Sequence, residues 1–260
     1  MAKKTIFMAG DFHMGHLAAI APPKYQTSSD RRIKKLQEEL WGIYLNNIKL
    51  AGKIDVFVAN GDGIDGMGQK TGGTELLHTD QLVQCKMYEE AIKVANPKHV
   101  IMTYGTLFHV GSETDFEKIV ADNLGAEIKG EHSLEVNGVT FNIKHHLGSS
   151  STPYARATAV TKENVWNIIK AENGEIDRAD VFVRSHVHYH VASSDRDRLC
   201  MTLPALQGAG SKYGRRCAGT VDFGNVVFNV YDKPNKYGEK YEWHKMIKPI
   251  LNQKVEKIIL

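Results

Sequence analysis

The chain has 260 residues, 42% of them hydrophobic and 24% charged, with a formal net charge of +3. That is enough material for a sizeable core, in one large domain or two small ones. The mild positive balance does not by itself point to nucleic acid, no apolar run is long enough to span a membrane, and the apolar stretch before Asp11 is too short for a signal peptide. The 3 cysteines (Cys85, Cys200 and Cys217) have no paired spacing, which favours reduced thiols and a cytoplasmic setting. The 12 histidines are many for this length, an excess that often marks metal or acid–base chemistry.

Residues 5 to 9 form a short apolar run before Gly10 and read as a buried strand. Asp11-Phe12-His13 follows directly, then Gly15-His16. On an extended strand, side chains at i and i+2 share a face, so Asp11 and His13 are expected to project together. A carboxylate oxygen and an imidazole nitrogen so placed suit a divalent cation such as manganese, iron or zinc. The competing reading is a turn aspartate beside a surface histidine. Ser28, Ser29 and Asp30 offer N-caps for a helix. Its core stripe would be Ile33, Leu36, Leu40, Trp41, Tyr44, Leu45 and Ile48, and Gly52 closes it.

Residues 54 to 59 predict a second strand, which runs into Asn60-Gly61-Asp62-Gly63-Ile64-Asp65-Gly66. This contains a formal G-x-G-x-x-G, but no helical pattern follows in residues 67 to 73, as a dinucleotide site requires. The glycines read instead as turn residues that present Asp62 at a strand end. A helix is predicted over 79 to 95, with Thr79 as N-cap, Leu82, Cys85, Ala91, Ile92 and Val94 facing inward, and Pro97 beyond it. A third strand over 99 to 104 leads into Gly105-Thr106-Leu107-Phe108-His109, and a helix over 112 to 124 ends at Gly125.

The periodicity then changes. Residues 133 to 136 and 139 to 144 flank Asn137-Gly138, a strong hairpin turn. The second of these strands leads to His145-His146 and a loop of small residues. A helix over 155 to 171 precedes Val-Phe-Val-Arg-Ser-His-Val-His-Tyr-His at residues 181 to 190. His186 and His188 repeat the alternating placement and supply half of a metal site. Residues 189 to 193, 198 to 203, 221 to 231 and 241 to 248 read as further strands. The pattern is βα units first and mostly β afterwards, in one continuous α/β domain over 1 to 260.

Five strand ends thus carry ligand-type residues, and sites in open α/β sheets form beyond the carboxyl ends of strands. The ordered set D-x-H, G-D, a glycine motif with histidine, a lone histidine and H-x-H resembles the calcineurin-like metallophosphoesterases, from Asp11 to about Tyr231. The third motif, Gly105-Thr106-Leu107-Phe108-His109, is similar to a G-T-x-x-H variant of phage-encoded members. The resemblance implies two packed mixed β-sheets flanked by helices, a four-layer αββα sandwich. It implies two divalent metal ions, manganese first, with iron, zinc, nickel or cobalt as the other candidates. Asp11, His13 and His188 would hold the first metal, Asp62 would bridge, and His186 with His145 would hold the second, with His146 as the alternative. His109 would act on the leaving-group oxygen or itself become a ligand. Two positions depart from the family pattern: Thr106 stands where asparagine binds the second metal, and Ser185 stands where glycine is usual.

The implied activity is hydrolysis of a phosphate ester by a metal-activated water, as a phosphomonoesterase, phosphodiesterase or nuclease. A nucleic acid or nucleotide is a candidate partner beside the phosphate-ester substrate, and no membrane partner is expected. Tyr213 and Arg215, with Lys212 and Arg216, could bind phosphate or a nucleic acid from a glycine-rich loop, or be simply solvated. Arg156 is a second candidate. The competing class is a non-catalytic metal-binding interaction protein on the same fold. A structural zinc protein fits poorly, because the three cysteines are far apart.

Overall fold

The structure, a computed structural model, describes residues 2–110, 114–150, 152–209 and 220–251. Tyr213, Arg215, Lys212 and Arg216 lie outside the described residues.

Two mixed sheets pack face to face, with helices on both outer surfaces. The first sheet contains β1 (Lys3–Ala9), β2 (Val56–Asn60), β3 (His99–Thr103), β4 (Glu127–Lys129), β10 (Gly224–Tyr231) and β11 (Tyr241–Ile247), in the order β11-β10-β1-β2-β3-β4. β1 to β4 run parallel, while β10 and β11 are antiparallel additions. The second sheet contains β5 (Glu131–Val136), β6 (Val139–Lys144), β7 (Val181–Arg184), β8 (Val191–Ser194) and β9 (Leu199–Thr202), in the order β5-β6-β7-β9-β8.

Alternation along β1 explains the layering. Ile6 and Met8 turn toward the second sheet and join Val58, Phe141, Val183, Met201 and Phe228 in the core between the sheets. Phe7 and Ala9 turn the other way, under α1 (Arg31–Ala51), α2 (Gln81–Lys93) and α4 (Phe116–Leu124), where Leu40, Tyr44, Tyr88 and Val120 pack. A strand buried on both faces needs a continuous apolar run, which is how residues 5 to 9 read. Val160 of α5 (Arg156–Glu172) covers Phe182 and Cys200 on the far side of the second sheet. The resulting order of helices, sheet, sheet and helix is the four-layer α/β arrangement expected from sequence.

Several local expectations are corrected. Asp80, not Thr79, caps α2, because its carboxylate accepts from the backbone N–H groups of both Leu82 and Val83. The rotation this sets leaves Leu82 52% and Val94 45% exposed, while Cys85, Ala91 and Ile92 are buried. Leu45 of α1 is likewise exposed. α4 starts at Phe116, where the Asp115 side chain accepts from Lys118 N, rather than at residue 112. β4 and the single-turn helix α3 (Leu107–Val110) are elements the periodicity does not reveal. No helix among the described residues is long and apolar enough to cross a membrane.

Candidate metal centre

β1, β2, β3, β6 and β7 end at one rim, and the chemistry gathers in the loops just past them. β1 stops at Ala9 and β7 at Arg184, so Asp11, His13, His186 and His188 are not on strands. Strand alternation therefore does not place these four residues, although the loops bring them to the same rim. Asp11, His13, Asp62, His186 and His188 all have positive φ, between 46° and 74°. For residues other than glycine this left-handed region is uncommon and costs roughly 1–3 kcal/mol each. Aspartate and histidine tolerate it better than most side chains.

Backbone bonds between neighbouring loops hold these turns. Asp11 N donates to Gly61 O (3.1 Å), His13 N to Asp62 O (2.9 Å) and Met14 N to Gly63 O (3.0 Å). Gly61, with φ of 73°, is also where a Cβ would come within 2.4 Å of the His145 ring. Gly105 is tighter still, since a Cβ there would lie 2.2 Å from Asp62 Oδ1.

Three overlapping groups result: Asp11, His13 and His188; Asp62, His145 and His186; and His13, Asp62 and His109. Within each, one potential ligand atom per residue lies within 4.8 Å of the others. Asp62 sits between them, with Oδ2 3.1 Å from His145 Nε2 and 4.0 Å from both His13 Nε2 and His186 Nδ1. His188 Nε2 is 3.4 Å from Asp11 Oδ1 and 3.1 Å from His13 Nε2. Asp11, His13, Asp62 and His145 are all buried.

The hydrogen-bond network assigns the histidine tautomers. His145 Nδ1 is 2.8 Å from Asn60 O, an acceptor only, so Nδ1 carries a proton. His109 Nδ1 donates in the same way to Asp65 O, at 3.0 Å. His13 Nδ1 faces Asp65 Oδ1 at 3.0 Å. In each ring Nε2 is the remaining ligand atom, oriented by a partner on the far side, as metal-binding histidines usually are.

Titration behaviour fits a cation site. Burial alone would raise the Asp62 carboxyl, but the neighbouring His145 and His186 imidazoles hold it well below the ordinary range. Burial also opposes charge on His145, yet Asp62 pushes that imidazole up to about 10. Burial and the neighbouring His109 lower His13 to about 4. Carboxylates that hold protons on imidazoles this firmly mark places where a cation can stand in for those protons. Two buried nitrogens, His145 Nε2 and His186 Nδ1, have no hydrogen-bond partner. Asp62 Oδ2 is close to His145 Nε2 but off the direction its N–H would take. Orphaned buried polar atoms are rare, and here both belong to one triad with Asp62. The residues present therefore fit a divalent metal.

His146 is exposed beyond this shell, its ring stacked on His186 with centroids 4.9 Å apart. Of the adjacent pair, His145 is the one brought in. Thr106 does not replace a ligand: its N–H and hydroxyl donate to Asp62 Oδ1 at 2.6 and 3.2 Å. Ser185 accepts from Asn60 Nδ2 at 2.8 Å beneath the rim, and Asn60 Oδ1 accepts from Thr103. Arg156 lies over the Tyr189 ring and donates to Thr220.

Two contributors escape the sequence reading. Asp65 is hidden in a glycine loop, where its three-residue spacing from Asp62 is the usable signal. Glu117 of α4 is buried and accepts from Gly63 N (2.8 Å) and Gly105 N (2.7 Å), tying the Asp62 and Thr106 loops together. Nothing in its local sequence marks it.

No family model matches the sequence, and neither does any curated protein. Solved structures do resemble the fold. An archaeal phosphodiesterase is 16% identical with a TM-score of 0.45, over 93% of this chain and 99% of that one. Vps29 from Cryptosporidium parvum is 11% identical with a TM-score of 0.48, over 95% and 99%. A predicted phosphoesterase from Streptococcus pneumoniae is 12% identical with a TM-score of 0.41, over 94% and 99%.

Proposed function

We propose that the chain is a metal-dependent phosphoesterase of the calcineurin-like metallophosphoesterase type. Asp11, His13 and His188 would hold one divalent cation, and His145, His186 and Asp62 would hold a second. Manganese is the first candidate. When bound, such a pair supplies Lewis acidity to a phosphate ester and makes water a competent nucleophile near neutral pH.

The chain's own groups do the rest. Asp65 fixes the His13 ring, and Asn60 O fixes His145. Thr106 and Glu117 hold the Asp62 carboxylate and its loop in place. His109, with Nδ1 committed to Asp65 O, keeps Nε2 to deliver a proton or hydrogen bond to the departing ester oxygen.

The observation that carries this reading is the buried, partnerless pair His145 Nε2 and His186 Nδ1 around Asp62. The test is metal analysis, followed by assay of the manganese-loaded protein on p-nitrophenyl phosphate and bis-p-nitrophenyl phosphate. Bound metal with hydrolysis of either ester, lost in Asp62→Asn, supports the reading, and the preferred ester separates monoesterase from diesterase. Bound metal without hydrolysis of any ester favours the non-catalytic binding protein instead. Thr106 gives that second reading its footing, because it leaves the second triad with three protein ligands.

A further inference from the structure

The rim holds one imidazole that belongs to none of the ligand groups. His146 follows His145 directly, and the two part company: His145 turns in to Asp62, while His146 stays in solvent. Its position is nonetheless fixed. His145 on one side and Leu147 on the other are both buried, so the backbone between them is pinned. The His146 ring lies nearly parallel to that of His186, with centroids 4.9 Å apart and an interplanar angle of 29°. An exposed side chain gives up rotamer freedom to hold such a stack, and His186 is a candidate ligand.

His109 occupies the matching place beside the other group. Its ring meets His13 edge to face, with centroids 4.5 Å apart. Each candidate cation position thus has a further imidazole against one of its histidines: His109, itself grouped with His13 and Asp62, beside the Asp11–His13–His188 group, and His146 beside the Asp62–His145–His186 group. In an in-line displacement the entering and leaving oxygens lie roughly opposite, and the non-bridging oxygens spread around the axis between them. His109 is assigned to the leaving oxygen. An imidazole on the other flank, solvent-facing and held by a stacked partner, is placed to donate to one of the spreading oxygens.

We propose that His146 is a substrate-binding residue that hydrogen-bonds a non-bridging oxygen of the bound phosphate on the flank opposite His109. The assignment rests on the phosphoesterase reading of the site and adds to it a recognition group for the phosphoryl oxygens. It also gives the His145-His146 pair a division of labour, in which one ring serves the cation and the next serves the anion.

The test uses inorganic phosphate as probe, titrated calorimetrically into the full-length protein loaded with manganese. Metal content is measured in parallel, and hydrolysis of bis-p-nitrophenyl phosphate is followed separately. His146→Ala should keep its metal and weaken phosphate binding about ten- to hundredfold, the usual scale for one hydrogen bond to a charged group. His146→Phe keeps a stacking ring without a donor and should lose as much. His146→Gln returns a donor without the ring and should recover most of the affinity. Where hydrolysis is present, the loss should appear in KM more than in kcat. Wild-type affinity in His146→Phe would show that the ring only steadies His186, and would overturn the proposal. So would loss of metal in His146→Ala, or an unchanged phosphate affinity in all three variants. Wild-type protein that binds phosphate and hydrolyses no ester would sink the phosphoesterase reading, while the titrations still decide His146. Wild-type protein that binds no phosphate would overturn both.

Discussion

The Asp65 carboxylate lies 3.0 Å from Nδ1 of His13. His109 Nδ1 is 3.6 Å from the same oxygen and bonds the Asp65 backbone carbonyl at 3.0 Å, so one residue orients two rings of the site through two different atoms. A carboxylate behind a ligating imidazole fixes its tautomer and raises its basicity, and removing it typically weakens metal binding ten- to hundredfold. Asp65→Asn should therefore lower metal affinity by about that factor, read by competition with a chromogenic chelator. Unchanged affinity would mean that the pairing only packs the loop.

On the proposed reading, His109 serves the reaction rather than the metal. His109→Ala should leave the bound metal nearly intact and cut turnover about 10²-fold or more. Elemental analysis beside steady-state kinetics checks this. Loss of one metal equivalent would reassign His109 as a ligand, in line with the His13–Asp62–His109 grouping.

Gly105 tests how tightly the Asp62 carboxylate is confined. A methyl group there would lie 2.2 Å from Asp62 Oδ1 and 2.3 Å from its backbone nitrogen, which no small adjustment relieves. Gly105→Ala should displace Asp62, abolish stoichiometric metal binding and leave far-UV circular dichroism close to wild type. Full metal content in the variant would show that the loop can shift without cost.

Glu117 gives a pH signature in the metal-free protein. Burial pushes its carboxyl up from 4.5 to about 7. Between those values the folded state holds a proton that the unfolded chain has released, so this contribution to stability is complete below pH 4.5 and fades as pH rises through 7. The slope is at most about 1.4 kcal/mol per pH unit. His13 titrates with the opposite sign, so the readout is a difference: urea stability of wild type minus Glu117→Gln should fall between pH 5 and 7. A flat difference would show that Glu117 is ionised throughout.

Much of this site was legible because its residue types are chemically narrow. Asp11, His13, Asp62, His145, His186 and His188 each follow an apolar run, and such runs are the easiest strands to read. What the sequence concealed was geometry without periodicity. The left-handed turns at Asp11, His13, Asp62, His186 and His188 leave no trace in a hydrophobic pattern, so strand alternation was carried past the true ends of β1 and β7. Glu117 is invisible for a related reason: its two partners are backbone amides more than ten residues away, and nothing in an amphipathic helix distinguishes a carboxylate turned inward. The role of Thr106 is hidden in the same way, because its backbone N–H, not its hydroxyl, makes the shorter bond to Asp62.

Ser185 and Gly10 each follow a strand of a different sheet, yet a Cβ at position 10 would come within 2.5 Å of the Ser185 hydroxyl. Position 10 is walled in twice, by the Ser185 side chain and by the Asn60 carbonyl, whose oxygen would lie 2.9 Å from the same Cβ. Alanine at 10 therefore stays closed even when 185 is reduced to glycine. Any redesign that transplants this rim into another scaffold has to move both residues as one unit.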